Sequence, residues 1–240
     1  CNAIFITSDK CYENVEWLWG YKETDKLGGK DPYSASKAAA EISINSYSRS
    51  FFNSPNQPIQ IASTRAGNVI GGGDWALNRI VPDSIKAWSK NSPVRIRNQS
   101  STRPWQHVLE PLSGYLRLGE LMKKERKLNG ESFNFGPNSF NTKSVKDLVL
   151  AMEKYWPGSS HIFESSGSES NKEAKLLKLN CDKSYEILNW KPVLDFGKTI
   201  ELTTKWYFSY YEKNSILDIS KKDISTYTDL AKQSKMSWTI

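Results

Sequence analysis

Cysteine, histidine and methionine are scarce in this sequence, at three, two and three of 240 residues. Cys1, Cys11 and Cys181 are odd in number and scattered, so neither a disulfide framework nor a CxxC pair can be read, and reduced thiols are expected. His107 and His161, with no clustered thiolates, are too few ligands for a zinc site, and metal chemistry is not expected. No apolar run approaches the roughly 20 residues of a membrane span. The opening Cys-Asn-Ala-Ile-Phe-Ile-Thr-Ser has neither the basic flank nor the long apolar centre of a signal peptide. A cytoplasmic protein with no membrane partner is therefore expected. Also lacking is any GxGxxG or GxxGxxG between a strand and a helix, the turn that normally opens a dinucleotide-binding sheet. Either the chain binds no dinucleotide or the first half of such a sheet is absent; a start inside an apolar run, with no Met, favours the second.

What is present suits one large domain, or a core with a smaller lobe: 38% of the residues are hydrophobic. A net charge of +7 suits an anionic partner, either nucleic acid or a small phosphorylated substrate. Lysine and arginine are spread along the chain. Their densest group, Lys123, Lys124, Arg126 and Lys127, closes a predicted helix, where cations meet the negative end of the dipole. Nucleic acid is therefore not the expected partner.

The apolar run at residues 3–6 reads as a buried strand ending in Thr7-Ser8-Asp9-Lys10, at the carboxyl end of a sheet where ligands sit. After a polar loop at residues 13–30, Asp31 and Pro32 mark a helix start. Tyr33, Lys37, Ala40, Ile44, Tyr47 and Phe51 then follow at steps of three and four along one helical face. Residues 59–64 read as a second buried strand, leaving into a glycine-dense loop from Arg65 to Trp75 that lets backbone approach a ligand closely. Further on, helices are expected near residues 79–90, 110–124, 144–155, 182–188 and 197–212, strands near 94–97, 106–108 and 133–135, and a mobile Ser/Gly/Glu-rich loop at 159–170. The tail from Lys213 has no clear period and is left unplaced.

The chemistry centres on Tyr33 and Lys37, a Tyr-x-x-x-Lys pair on one helical turn. An ammonium one turn from a phenol stabilises the phenolate, which then takes a proton from an alcohol. The spacing alone is equally a surface pair. Ser8, at the end of the preceding strand, adds a hydroxyl that polarises the same oxygen and completes an alcohol-oxidising set.

These stretches, with Arg79-Ile80-Val81-Pro82-Asp83, Ser101 to Val108, Asn134-Phe135-Gly136-Pro137 and Leu188-Asn189-Trp190-Lys191-Pro192, resemble the extended short-chain dehydrogenase/reductase family, from the start of the chain to about Tyr207. Within it they resemble the dehydratases of nucleotide sugars. Lys10, where relatives acting on other nucleotides carry an acidic residue, is the feature shared with those acting on CDP-glucose.

The resemblance implies the C-terminal portion of a Rossmann-like doubly wound parallel sheet with a smaller mixed α/β substrate-binding lobe. Residues 1–67 and about 108–136 would be the remainder of the dinucleotide domain, 68–107 and 137–207 the lobe, and 208–240 an unassigned tail. It implies NAD as cofactor, a nucleotide-sugar substrate, a homo-oligomer at full length, and a place in deoxysugar biosynthesis for lipopolysaccharide O-antigen. Catalysis would fall to Ser8, Asp9, Lys10, Tyr33 and Lys37, with Thr7, Tyr33 and Lys37 at the cofactor and Asn68, Arg79 and Arg103 at the substrate. Lys10 would act unprotonated as base and Asp9 protonated as acid, and burial favours both neutral forms. The arginines are equally ordinary ion-pair partners, Trp75 and Trp105 equally core fillers. An epimerase or reductase of the same family, or an inactive fragment, are the alternatives.

Overall fold

In the computed structural model, which describes residues 1–138, 142–164 and 176–239, the β-branched and aromatic runs pair into a three-stranded parallel sheet. Asn2–Ile6 (β1), Gln60–Ala66 (β2) and Ser132–Phe135 (β7) lie in the order β1-β2-β7, with Ala3 opposite Ile61 and Thr64 opposite Phe133. Parallel neighbours need a crossover. Pro32–Tyr47 (α1) leads from β1 to β2, and Leu109–Met122 (α3) precedes β7.

The expectation of a buried strand at residues 3–6 is corrected: among the described residues β1 pairs on one side only, and Phe5 and Ile6 at its end are 43% and 59% exposed. The central strand is β2, buried from Ile61 through Arg65.

Helix α1 begins where its capping chemistry requires. The Asp31 side chain accepts from the backbone N–H of Tyr33 and Ser34, and Pro32 occupies the first turn. Its predicted apolar stripe is not the face that packs. Tyr33, Tyr47 and Phe51 are exposed, while Ser34, Ala38 and Glu41 are buried, followed by Ser48 where the helix widens into a π-type turn over Ser48–Phe52. Small and hydrogen-bonding side chains let this helix lie close on the sheet, which the apolar stripe would have held away.

The second layer is mixed. Val69–Ile70 (β3) runs parallel to Gln106–His107 (β6), Val94–Ile96 (β4) parallel to His161–Phe163 (β9), and Thr102–Arg103 (β5) antiparallel to Lys143–Ser144 (β8). Ile80–Trp88 (α2), Val145–Glu153 (α4) and Phe196–Tyr211 (α6) enclose a core that includes Ile85, Trp88, Ile96, Leu148, Ile200 and Tyr207. A separate core of Leu118, Met122, Phe133, Phe135, Leu188 and Trp190 lies against the sheet, the last two carried by and just after Asp182–Leu188 (α5). The loop expected at residues 159–170 contains β9 instead, and its residues 165–170 lie outside the described residues. The unplaced tail forms a helix, Ile216–Gln233 (α7), capped by Ser215 and packed against α6.

Candidate active site

The carboxyl end of β1 turns sharply into a single 3-10 turn, Asp9–Cys11, capped by Ser8, whose Oγ accepts from the Lys10 N–H at 3.2 Å. The same hydroxyl donates to Asp9 Oδ1 at 2.9 Å. Asp9 is only 3% exposed. Burial raises its carboxyl above the ordinary range, against the opposing pull of Lys10, the Ser8 hydroxyl and Arg103. The carboxyl is thus held toward the neutral form that an acid catalyst needs.

Across the turn, α1 presents Tyr33 to the surface, the residue 57% exposed, and the Lys37 ammonium lies 5.7 Å from its ring centroid. A cavity of about 840 Å³ brings Thr7, Ser8, Asp9, Lys10 and Tyr33 together with Asn68, Arg79 and Arg103 from the second layer. Lys37 is not among the lining residues; it stands behind Tyr33. The Thr7 hydroxyl faces away from the cavity's chemistry, donating to Glu41 Oε1 and to the Thr64 carbonyl.

Of the arginines, Arg103 is 8% exposed and donates to the Thr102 carbonyl at 2.8 Å. Arg79 is exposed and pairs with Asp74 at 3.3 Å, so it both forms the ordinary ion pair and lines the cavity. Trp105 lines the cavity and donates to the Lys143 carbonyl, whereas Trp75 packs on Tyr207, Tyr210 and Tyr211 as a core filler. The basic group after α3 is engaged with the protein itself: Lys124 pairs with Glu120, Lys127 with Glu125, and Arg126 donates to the Gln57, Phe52 and Ser54 carbonyls.

With this geometry in place, comparison with known proteins is decisive about kinship. The model of the GDP-mannose 4,6 dehydratase family matches residues 1–203. The chain belongs to that family. A CDP-glucose 4,6-dehydratase of Salmonella typhimurium is 43% identical over 228 residues, which are 94% of this chain and 63% of that protein. A dTDP-glucose 4,6-dehydratase of Bacillus anthracis, solved in complex with NAD, superposes with a TM-score of 0.69 at 19% identity, over 87% of this chain and 62% of its own. A UDP-glucuronic acid 4-epimerase of Bacillus cereus, solved with UDP-glucuronic acid and NAD, superposes with a TM-score of 0.71, also at 19% identity, over 88% and 62%. The chain thus spans a little under two thirds of the length of each, and the expected parallel α/β sheet with a mixed lobe is the fold it shares with the two solved structures.

Three features of this family member were not read from its sequence. Glu41 and Arg65 form a buried ion pair at 2.7 Å behind Thr7, with side chains 2% and 4% exposed; Glu41 also accepts from Ser63 Oγ at 2.8 Å, and Arg65 donates to the Tyr12 hydroxyl at 2.8 Å. Burial opposes ionisation of Glu41, but the Arg65 guanidinium and the Thr7 and Ser63 hydroxyls outweigh it and hold the carboxyl below its ordinary range. Arg95, Arg97 and Asn98 line the cavity from β4 and its exit. In sequence, Val94-Arg95-Ile96-Arg97 reads simply as a strand with one solvated face. Finally, Gly67 at the exit of β2 lies directly beneath the Asp9 carboxyl.

Proposed function

We propose that this chain carries the sugar-handling residues of a nicotinamide-dependent 4,6-dehydratase whose substrate is CDP-glucose. The observation that carries the reading is the buried Asp9, adjacent to Lys10 and Ser8 and sharing one cavity with Tyr33. An epimerase or reductase needs Tyr33 and Lys37 but not a buried acid beside a lysine. The nucleotide is supported by the 43% identity to a CDP-glucose 4,6-dehydratase and by the Asp9-Lys10 pair itself.

The residues present fit one end of a dinucleotide. Tyr33, with Lys37 behind it, stands exposed at the carboxyl end of a parallel sheet, beside the open end of β1. They would hold the nicotinamide end, with Thr7 at the strand's edge; the sequence has no glycine-rich turn for the pyrophosphate. Bound there, NAD supplies the hydride exchange at C4 and at C6. The chain's own groups do the rest. Tyr33 as phenolate accepts the proton of the C4 hydroxyl, Lys37 stabilises that phenolate, and Ser8 holds the oxygen. A ketone at C4 makes the C5 proton acidic. Lys10 removes that proton as the C5–C6 double bond forms; the C6–O bond breaks and Asp9 delivers its proton to the departing hydroxyl, which leaves as water. Asn68, Arg79 and Arg103 take the diphosphate, where a guanidinium offers two parallel donors.

On this reading residues 1–67 and about 108–136 belong to the dinucleotide domain and the remainder up to residue 207 to the substrate lobe, with the cavity between them. The full-length enzyme is a cytoplasmic homo-oligomer supplying 4-keto-6-deoxy sugar nucleotides for O-antigen. No helix among the described residues is long and apolar enough to cross a membrane, and the exposed Tyr47 and Phe51, whose rings lie 5.5 Å apart where α1 passes into its π-type turn, offer an apolar contact face.

The test is Lys10→Met in the full-length protein, supplied with CDP-glucose and with UDP-glucose. The variant is expected to oxidise C4, seen as reduced nicotinamide absorbance, and to release no keto product. Normal release of keto product by this variant would remove Lys10 from the mechanism.

A further inference from the structure

Gly67 follows β2 immediately, and its φ does not lie in the left-handed region, so an L-residue could adopt its backbone conformation. What the position lacks is room. A Cβ built on Gly67 would stand 2.0 Å from Asp9 Oδ2, 2.2 Å from Asp9 Cγ and 2.7 Å from Asp9 Oδ1. These separations lie far inside van der Waals contact.

Neither backbone is free to move aside. The Gly67 carbonyl accepts from Gln106 Nε2 at 3.0 Å, and that side chain is itself 2% exposed and tied to the Phe135 carbonyl at 3.0 Å. Asp9 opens a 3-10 turn whose last residue, Cys11, and the Tyr12 that follows it are 0% and 1% exposed. A second cavity, lined by Asp9, Gly67, Pro104, Gly136 and Leu179 among others, measures only about 10 Å³. That is room for at most one water, too little for a carboxyl to retreat into.

We propose that Gly67 is a positioning residue for the Asp9 carboxyl: the absent side chain is the space the acid occupies, and any larger residue there turns the carboxyl out toward the open cavity and separates C4 oxidation from loss of water. The proposal rests on the dehydratase reading. Its chemistry follows from the geometry. The C6–O bond breaks only as a proton reaches the leaving oxygen from Asp9, whereas the C4 hydroxyl proton passes to Tyr33, and Asp9 meets that step through the Ser8 hydroxyl alone, which its displacement frees for the C4 oxygen. A carboxyl displaced into solvent also loses the burial that keeps it neutral.

The experiment is single-turnover kinetics of full-length parent, Gly67→Ala, Asp9→Asn and the Gly67→Ala/Asp9→Asn double variant on CDP-glucose, with reduced nicotinamide and keto product followed separately. In Gly67→Ala, reduced nicotinamide should form at close to the parental rate and persist, while keto product forms at least about 100-fold more slowly, the scale of one general acid. The double variant should be no slower than Asp9→Asn alone. The alkaline limb of product formation in Gly67→Ala should move to lower pH. Equal slowing of both steps, parental product formation, or full additivity in the double variant would each overturn the proposal. If Gly67→Ala does not fold, Asp9→Ala/Gly67→Ala should melt with the parent, since the clash is gone; failure of that variant to fold would also overturn it. A parent that forms neither species from any nucleotide hexose would instead sink the dehydratase reading.

Discussion

Replacing Glu41 with glutamine removes one charge from a pair that the fold has sealed off from water, and its consequence can be worked out from the contacts. Arg65 Nη2 lies 2.7 Å from Glu41 Oε2 with both side chains almost fully buried. Without the carboxylate, the guanidinium keeps, among the described residues, the Tyr12 hydroxyl, the Glu23 carbonyl at 3.1 Å and the Tyr12 ring at 5.0 Å, and its Nε finds no hydrogen-bond partner among them even in the parent. Breaking a buried pair by removing one partner costs about 3–5 kcal/mol. Glutamine retains a carbonyl acceptor for Thr7 or Ser63, so the lower end, about 3 kcal/mol, is expected. In a chain of 240 residues that corresponds to a fall in melting temperature of roughly 6–12 °C. Urea unfolding at constant m-value would measure it. The control is Glu41→Leu/Arg65→Met, which removes both charges; Thr7 keeps the Thr64 carbonyl and Ser63 keeps Ser132 Oγ as acceptors, so only hydrogen bonds to neutral groups are lost, each worth less than a stranded buried charge. The double variant should therefore be more stable than Glu41→Gln. A single-variant loss below about 1 kcal/mol, or a double variant less stable than the single, would show that the pair behaves as a solvated one and does not pin α1 to the sheet.

The start of α1 was legible because Asp31, Pro32 and Ser34 act on the backbone beside them, and capping is a local interaction. The strand end at Thr7 to Lys10 was legible for a similar reason: an apolar run ending in polar residues marks a sheet's rim. The packing face of α1 was not. Glu41 reads as a surface residue until Arg65, 24 positions on, is folded against it. The tail helix α7 hid for the same physical reason. Its mean hydropathy is low, and it is held by a few long-range contacts: Tyr227 donates to Glu110 Oε2 at 2.9 Å, 117 residues away, and Trp206 Nε1 donates to Ser220 Oγ. Strand β9 is three residues long and exists through its pairing with β4, which no local pattern encodes. Gly67 was seen as part of a glycine-dense loop, but what a missing side chain makes room for is visible only once Asp9 lies over it.

Packing and protonation give two further predictions. Gly114 on α3 faces the Phe135 ring, and an added Cβ would lie 2.2 Å from Phe135 Cε1, so Gly114→Ala should overpack the sheet's core and cost about 1–3 kcal/mol in thermal unfolding; an unchanged midpoint would refute the contact. Glu110, 1% exposed, is pushed up to about 7 by burial despite accepting from the Leu194 and Val193 N–H groups and from Tyr227. A carboxyl raised in the folded state binds more protons there than in the unfolded chain, so its contribution is complete below the ordinary glutamate value of 4.5 and is lost as pH rises through about 7, a swing of roughly 3 kcal/mol. Buried His107, lowered to about 4, acts in the opposite sense, its contribution being lost as pH falls from 6.5 through about 4, so the Glu110 effect must be read as the difference between Glu110→Gln and parent. That difference should grow in favour of the glutamine variant between pH 4.5 and 7, and parallel stability curves across this window would show that Glu110 titrates as an ordinary carboxyl and does not govern the docking of α7.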